Sequence, residues 1–232
     1  MLWMKGWYET RIRLLLLVAA TLAMSALASD SGPATANISA RGLEATTLFG
    51  ASVLAAIMLA GAGIKTQPGG FRPSKGLHGS MYYTLSLPVT RRRLFGVRVS
   101  LGLAETAVIH LLVCYAAWLV HPAIRLNAPL SDIFKHGVAS FFCVTAVYSL
   151  GVLFATFLDD LYQTWASMFT VMAVIVILNR VPLPPSLDTF LLLSRASPLI
   201  THTMPWIAMA TLLALSATLL LISARIVESR EY

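Results

Sequence analysis

Long apolar stretches separated by short polar connections dominate the pattern of the chain. A membrane-spanning helix needs about 20 predominantly apolar residues. Six stretches approach that length, at residues 14–29, 46–64, 94–120, 137–158, 162–181 and 204–226. The first and fifth reach it only with flanking residues. The pattern predicts an all-α polytopic membrane bundle of six transmembrane helices, formed as one domain over residues 1–232, with residues 1–13 as an N-terminal interfacial helix.

Composition supports the membrane assignment and limits the alternatives. The chain is 57% hydrophobic and 12% charged, whereas an ordinary soluble domain is about 25% charged. Two cysteines cannot form a disulfide framework. The formal net charge of +7 would suggest nucleic acid as the partner of a soluble protein. In a membrane protein its meaning depends on position, so we expect a lipid bilayer and no nucleic acid.

The basic residues are distributed unequally between the two sides of the predicted bundle. Of the 17 lysines and arginines, most fall before the first span, in the connection between the second and third spans, or after the sixth span. Short cytoplasmic loops carry an excess of such residues. The bias therefore predicts cytoplasmic N- and C-termini. We expect the membrane itself to be a bacterial inner membrane.

The N-terminal stretch has a second interpretation. Residues 14–28 resemble the apolar core of a signal peptide, with Ser25-Ala26-Leu27-Ala28 as a small-residue cleavage site. Cleavage would leave five spans and remove Trp3 and Trp7, which are typical of an interfacial anchor. A retained span and a cleaved signal both stay open at this point.

The most basic connection precedes the third span. It begins with helix breakers around Pro68 and continues with a mixed run over residues 78–87, long enough for about two helical turns. Pro88 ends that run. Thr90 can then cap a new helix, with Arg91 in its first turn. The segment is either a short helix that contacts a soluble partner or a solvated loop that follows the positive-inside rule, and composition alone favours the loop.

Three segments resemble those of a known family. Leu85-Ser86-Leu87-Pro88-Val89-Thr90-Arg91-Arg92-Arg93-Leu94 resembles the "LPVSRRRL" signature of ABC transporter permeases of the type-2 exporter class. Trp7-Tyr8-Glu9-Thr10-Arg11 is similar to the interfacial elbow helix of that family. Leu193-Ser194-Arg195-Ala196-Ser197-Pro198-Leu199 resembles the segment before its last span. Their order and positions match across nearly the whole chain, although none of the three is strict.

The resemblance implies a permease subunit that pairs with a second permease chain, as a homodimer or heterodimer, and docks on a separate ABC ATPase subunit. ATP and Mg would be bound by that partner and not by this chain. A cytoplasmic coupling helix between spans two and three would make the contact. The implied docking residues are Gly79, Ser80, Met81, Tyr82, Tyr83, Leu85, Leu87, Pro88, Arg91, Arg92 and Arg93.

Two charged residues within the third span are candidates for an intramembrane role. Arg98 and Glu105 are seven residues apart and share one helix face, with Gly102 between them. Charges at the bilayer centre are costly and usually face a bundle interior or cavity. Glu105 therefore lines a translocation path, pairs across a dimer, or is bonded structurally to a neighbouring helix. His110 is interpreted more simply as a hydrogen-bonded interior histidine.

The connection before the last span is the one sizeable element on the outer side. Prolines at positions 182, 184 and 185 end the fifth span, and Pro198 and Pro205 interrupt the rest of the connection. The segment is interpreted as a plain connector or, less simply, as a gate.

Sequence motifs for catalysis are missing. Gly61-Ala62-Gly63-Ile64-Lys65-Thr66 lacks the spacing of a phosphate-binding loop, and the zinc motif His-Glu-x-x-His does not occur. We therefore predict no catalytic, cofactor or metal site in this chain. Glu105, His110 and His136 are expected to lie on different faces and levels, which weighs against an intramembrane enzyme. A non-transporting assembly or accessory subunit is the main alternative to a permease.

Overall fold

The computed structural model describes residues 7, 11, 14–20, 23, 49–60, 64–67, 70–73, 90–120, 125, 129–156, 158, 160–180, 198 and 202–229. A helical segment covers residues 14–20. The longer elements are α1 Phe49–Ala60, β1 Ile64–Gln67, β2 Gly70–Pro73, α2 Arg91–Val120, α3 Leu130–Ala155, α4 Asp160–Arg180 and α5 Trp206–Ser229.

Three of these helices have the length and apolar composition to cross a membrane. They are α2 over Arg92–Ala116, α3 over Leu130–Ala155 and α5 over Trp206–Ser229. Each overlaps a predicted span over most of its length, so the prediction of an integral membrane protein built from helices is supported. The segment 14–20, α1 and α4 lie within the other three predicted spans or overlap them closely. A count of six membrane crossings stays a prediction.

A short hairpin departs from the predicted all-α class. Strands β1 and β2 pair antiparallel, with Ile64 opposite Pro73 and Gln67 opposite Gly70. This register leaves two residues, Pro68 and Gly69, between the strands. From the sequence these residues were interpreted only as helix breakers, although proline and glycine side by side are also typical of a tight turn.

The third long helix begins earlier than predicted. α3 starts at Leu130, seven residues before the predicted span at 137. Pro129 occupies the N-cap position with an extended backbone (φ −67°, ψ 153°), and its carbonyl accepts from the amides of Asp132 and Ile133 at 3.0 and 3.2 Å. Proline pre-sets the backbone for a helix start. Asp132 consequently lies in the first turn, and His136 also belongs to the helix.

Two ion pairs fix the relative directions of three helices. Arg92, at the start of α2, lies 3.7 Å from Glu228, at the end of α5. Asp132, at the start of α3, pairs with His202, just before α5. These define the Arg92 end and the His202 end of the bundle. α2 therefore runs antiparallel to α3 and α5. The strict alternation of a six-span chain has the same relative directions.

The core lies where the other helices meet α3, which packs against α1, α2, α4 and α5. One buried cluster joins segment 14–20 with α1, α2, α3 and α5. Within it, Ala55 and Ala56 of α1 are fully buried, because their small side chains let α1 approach its neighbours closely. A second cluster joins only α3 and α5, through Ala139, Cys143, Ala208, Met209 and Leu212.

Large apolar side chains cover the outside of the bundle. On α5, Trp206, Ile207 and Leu221 are each more than 60% exposed. At the His202 end, the rings of Tyr115 and Trp118 stack with centroids 6.0 Å apart. Exposed aliphatic residues suit contact with lipid tails, while tyrosine and tryptophan are enriched at membrane–water interfaces.

Candidate functional site

A buried histidine connects three helices in the middle of the bundle. His110 of α2 is 2% exposed. Its Nδ1 lies 2.8 Å from the hydroxyl of Ser52 on α1, and its Nε2 lies 2.9 Å from the hydroxyl of Ser140 on α3. Both ring nitrogens are therefore hydrogen-bonded. This arrangement, the His110 node, agrees with the interpretation of His110 as a satisfied interior histidine.

The hydrogen bonds of the node assign the tautomer of the ring. The Ser140 hydroxyl donates to the backbone carbonyl of His136 at 2.6 Å, so its oxygen is left to accept. Nε2 of a neutral His110 must then carry the proton that it donates to Ser140. Nδ1 accepts from the Ser52 hydroxyl. A neutral imidazole provides one donor and one acceptor, and the node uses both.

The surroundings of the node correct one expectation from the sequence. His136 of α3 is 8% exposed and close enough to His110 for the two rings to interact electrostatically. These histidines were expected on different faces and levels. They come together because α3 begins early and therefore includes His136. The Cys114 sulfur is 3.8 Å from His110 Nε2. Within the described part of the chain, no cluster of three metal-ligating side chains occurs.

The predicted charged face of α2 packs against α3. Glu105 is 3% exposed, and Tyr148 of α3 is 2% exposed. The Tyr148 hydroxyl donates to the Val99 carbonyl at 3.2 Å, and both Arg98 and Glu105 act on it electrostatically. Glu105 thus faces a neighbouring helix of its own chain, which favours the structural interpretation over pairing across a dimer. A role of Arg98 and Glu105 in translocation stays a prediction.

Gly102 makes this contact between α2 and α3 possible. A Cβ atom at this position would meet the Tyr148 ring, with Cζ only 2.9 Å away and the hydroxyl nearer still. The tyrosine therefore occupies a notch in α2 that only glycine can provide. The sequence places Gly102 between the two charged residues but does not name its partner.

A second polar group lies at the His202 end. Asp132 accepts from Lys135 Nζ at 2.9 Å and from His202 Nδ1 at 2.5 Å. Lys135 also donates to the His202 carbonyl at 3.3 Å. The Asp132 side chain is 5% exposed, although those of Lys135 and His202 are 36% and 63% exposed. We call these three residues the His202 latch. Sequence reasoning missed it, because the predicted span began at residue 137 and left Asp132 outside the helix.

The arginine triplet lies at the start of α2, as predicted. The predicted coupling segment lies outside the residues that the structure describes. Thr90 precedes the helix, and its carbonyl accepts from the Leu94 amide at 3.1 Å. Arg92 and Arg93 are exposed at the Arg92 end. The remaining implied docking residues, from Gly79 to Pro88, lie outside the described residues, as does most of the interfacial segment 1–13. Their docking role stays a prediction.

Comparisons with known proteins add no assignment. No family model, no curated protein and no solved structure matches the chain.

Proposed function

We propose that the chain is the membrane-spanning permease subunit of an ATP-driven ABC transporter of the exporter class. It works as a dimer and docks on a separate ATPase subunit at the Arg92 end. The charge bias supports a cytoplasmic position for that end and for both termini, and the membrane that we propose is a bacterial inner membrane.

One observation carries the proposal. The stretch Leu85–Leu94, which resembles the family signature, runs directly into the start of α2. Its arginines stand in the first turn of that helix, where the macrodipole disfavours positive charge. Arg92 has a partner in Glu228, but its side chain is 82% exposed. Exposed positive charge at a helix start suits an acidic surface of a partner protein.

The polar contacts inside the bundle suit a structural role better than the lining of a translocation path. The His110 node and the contact of Tyr148 with Gly102 both join helices of one chain. We therefore assign the translocation path to surfaces between two permease chains, as the family resemblance implies. This chain has no phosphate-binding loop, so the energy for transport comes from ATP hydrolysed by the partner.

The test measures ATP hydrolysis that accompanies the tagged full chain. The chain is purified from its native membranes in mild detergent, transferred to lipid nanodiscs and supplied with Mg²⁺ and ATP. A docking variant changes Arg91, Arg92 and Arg93 to alanine and the Tyr82-Tyr83 pair to serine. The matched control changes Arg225, a basic residue on α5 near the same end, to alanine.

We expect hydrolysis with the native chain and with the Arg225 control, and its loss in the docking variant. Hydrolysis that persists in the docking variant would place the ATPase contact elsewhere on the chain. If no hydrolysis accompanies the native chain while another transporter from the same membranes retains its ATPase, the permease proposal fails. The accessory-subunit alternative would then take its place.

A further inference from the structure

The β1–β2 hairpin stands apart from the helices of the bundle. Its strands, Ile64–Gln67 and Gly70–Pro73, pair with each other, and none of the described helices makes more than marginal contact with either strand. A two-stranded hairpin by itself is at best marginally stable in water. We therefore expect a surface other than these helices to stabilise the hairpin.

The direction of α1 determines the depth of the hairpin. Ser52 of α1 is level with His110 of α2, because the two side chains are 2.8 Å apart. In the large buried cluster, the α1 members follow Ser52 and the α3 members follow Ser140. Since α3 runs from the His202 end to the Arg92 end, α1 also runs from the His110 node towards the Arg92 end. Ala60, eight residues after Ser52, lies about 12 Å further along this direction.

The hairpin consequently begins close to the membrane surface at the Arg92 end. α2 extends about 28 Å from His110 back to Arg91, so α1 ends about 16 Å short of the level at which α2 begins. Ile64 is four residues after Ala60 and lies at most about 14 Å from it. β1 therefore begins no further out than the first turn of α2, where the apolar span Arg92–Ala116 also begins. Lipid headgroups occupy the layer next to the ends of a span.

The hairpin carries positive charge that no nearby carboxylate compensates. Its register places Lys65 of β1 opposite Arg72 of β2. Like charges at directly opposite positions destabilise an antiparallel pair. The sequence has no aspartate or glutamate between Glu44 and Glu105, so no acidic residue close in sequence offsets the two charges. An anion from outside the chain would reduce this repulsion.

We propose that the β1–β2 hairpin binds the membrane surface, with its two facing basic positions directed to the phosphate group of an anionic phospholipid. Anionic headgroups attract basic segments that adjoin a membrane span. The depth of the hairpin favours lipid over an acidic soluble protein, because such a protein approaches from beyond the start of α2. The proposal involves neither an ATPase nor a transported substrate, so it stands independently of the proposed function.

The test compares the affinity of the full chain for two lipids that differ only in their headgroup. The chain is purified in a mild nonionic detergent and titrated with phosphatidylglycerol or with phosphatidylcholine of the same acyl chains. Native mass spectrometry then gives the dissociation constant of the tightest-bound lipid. One variant changes Lys65 and Arg72 to alanine. The matched control changes two exposed basic residues outside the hairpin, Arg125 and Arg225, to alanine.

We expect the hairpin variant to bind phosphatidylglycerol about thirtyfold more weakly than the native chain, because each basic residue at an anionic surface contributes about fivefold to affinity. Its affinity for phosphatidylcholine should not change, and the control variant should retain the native preference for phosphatidylglycerol. Lys65→Glu places opposite charges at the facing positions, which favours pairing of the strands. This variant should nevertheless lose affinity for phosphatidylglycerol, so it separates loss of lipid binding from loss of the hairpin.

Three results would overturn the proposal. One is a native chain that binds both lipids equally, or a Lys65→Glu variant that binds phosphatidylglycerol as tightly as the native chain. The second is an equal loss of affinity in the control variant, because total charge and not the hairpin would then determine binding. The third is a hairpin variant that keeps its affinity for phosphatidylglycerol but loses the accompanying ATP hydrolysis. The hairpin would then be a contact for a partner protein.

Discussion

The two ends of α5 are fastened in different ways. At the Arg92 end, Arg92 and Glu228 are 3.7 Å apart, with side chains 82% and 36% exposed. At the His202 end, a carboxylate that is 5% exposed receives two donors, at 2.9 and 2.5 Å. Exposed ion pairs contribute about 0–1 kcal/mol, and hydrogen bonds to charged groups contribute about 1.5–3 kcal/mol. We infer that the His202 end is held by polar contacts in addition to the packing of Ala208 and Met209 against α3, whereas the Arg92 end depends on packing.

The largest expected effect follows from removing the buried carboxylate. Asp132→Ala should lower the free energy of unfolding by more than any of the other changes below, because two hydrogen bonds to a charged group are lost. Ser131→Ala, at the exposed neighbouring position, is the control and should change little. Unfolding of the chain from mixed micelles by increasing SDS measures both. If Asp132→Ala lowers the free energy of unfolding no more than Ser131→Ala does, the polar contacts at the His202 end contribute no more than those at the Arg92 end.

Packing near the Arg92 end is tested by adding one methyl group. Gly102→Ala should cost about 1–3 kcal/mol of unfolding free energy through overpacking against Tyr148. Gly96 lies on the same helix with nothing within 4 Å of a built Cβ. Gly96→Ala should therefore be neutral, or stabilising by about 0.5–1 kcal/mol. If Gly102→Ala and Gly96→Ala change the free energy of unfolding equally in the same SDS titration, the close contact of Tyr148 with Gly102 does not contribute to stability as expected.

Two substitutions at His202 separate the backbone from the side chain. His202 has a positive φ of 57°. Both His202→Gly and His202→Ala remove the imidazole, but only glycine adopts positive φ without strain. The alanine variant should therefore be less stable than the glycine variant by about 1 kcal/mol. The free energies of unfolding of the two variants give this difference directly. An alanine variant as stable as the glycine variant would show that position 202 does not need its left-handed backbone.

The smallest effect is expected from the exposed ion pair. A double-mutant cycle with Arg92→Ala and Glu228→Ala should give a coupling energy of about 0–1 kcal/mol. That coupling should fall further in high salt, because exposed charges are screened. If the coupling energy of Arg92 and Glu228 is as large as the loss measured for Asp132→Ala and does not depend on salt, both ends of α5 are held by polar contacts of similar strength.

Periodicity and hydropathy predicted the long helices but not the pairs that join them. α2 and α5 coincide with predicted spans, since about 20 apolar residues in sequence are a local signal. The start of α3 was predicted seven residues late, because the polar residues Asp132, Lys135 and His136 interrupt the apolar run on which the predicted span was based. The signal that could have corrected this was Pro129, a residue favoured at helix starts.

The sequence predicted that His110 is a hydrogen-bonded interior residue, but it did not predict which residues are its partners. His110 was expected to be a bonded interior histidine, but its partners Ser52 and Ser140 are 58 and 30 residues away. The partner of Asp132 is 70 residues away. Such pairings depend on how the helices are arranged in space, which a single sequence does not state. The docking role of the coupling segment remains a prediction from resemblance.

The tyrosine seated in the notch of α2 has a mechanical consequence. The Tyr148 ring of α3 lies against Gly102 of α2, so it opposes movement of one helix along the axis of the other. Sliding of α2 past α3 would therefore require the Tyr148 ring to leave its position beside Gly102. Any displacement of one of these two helices along its axis is thereby opposed by the other.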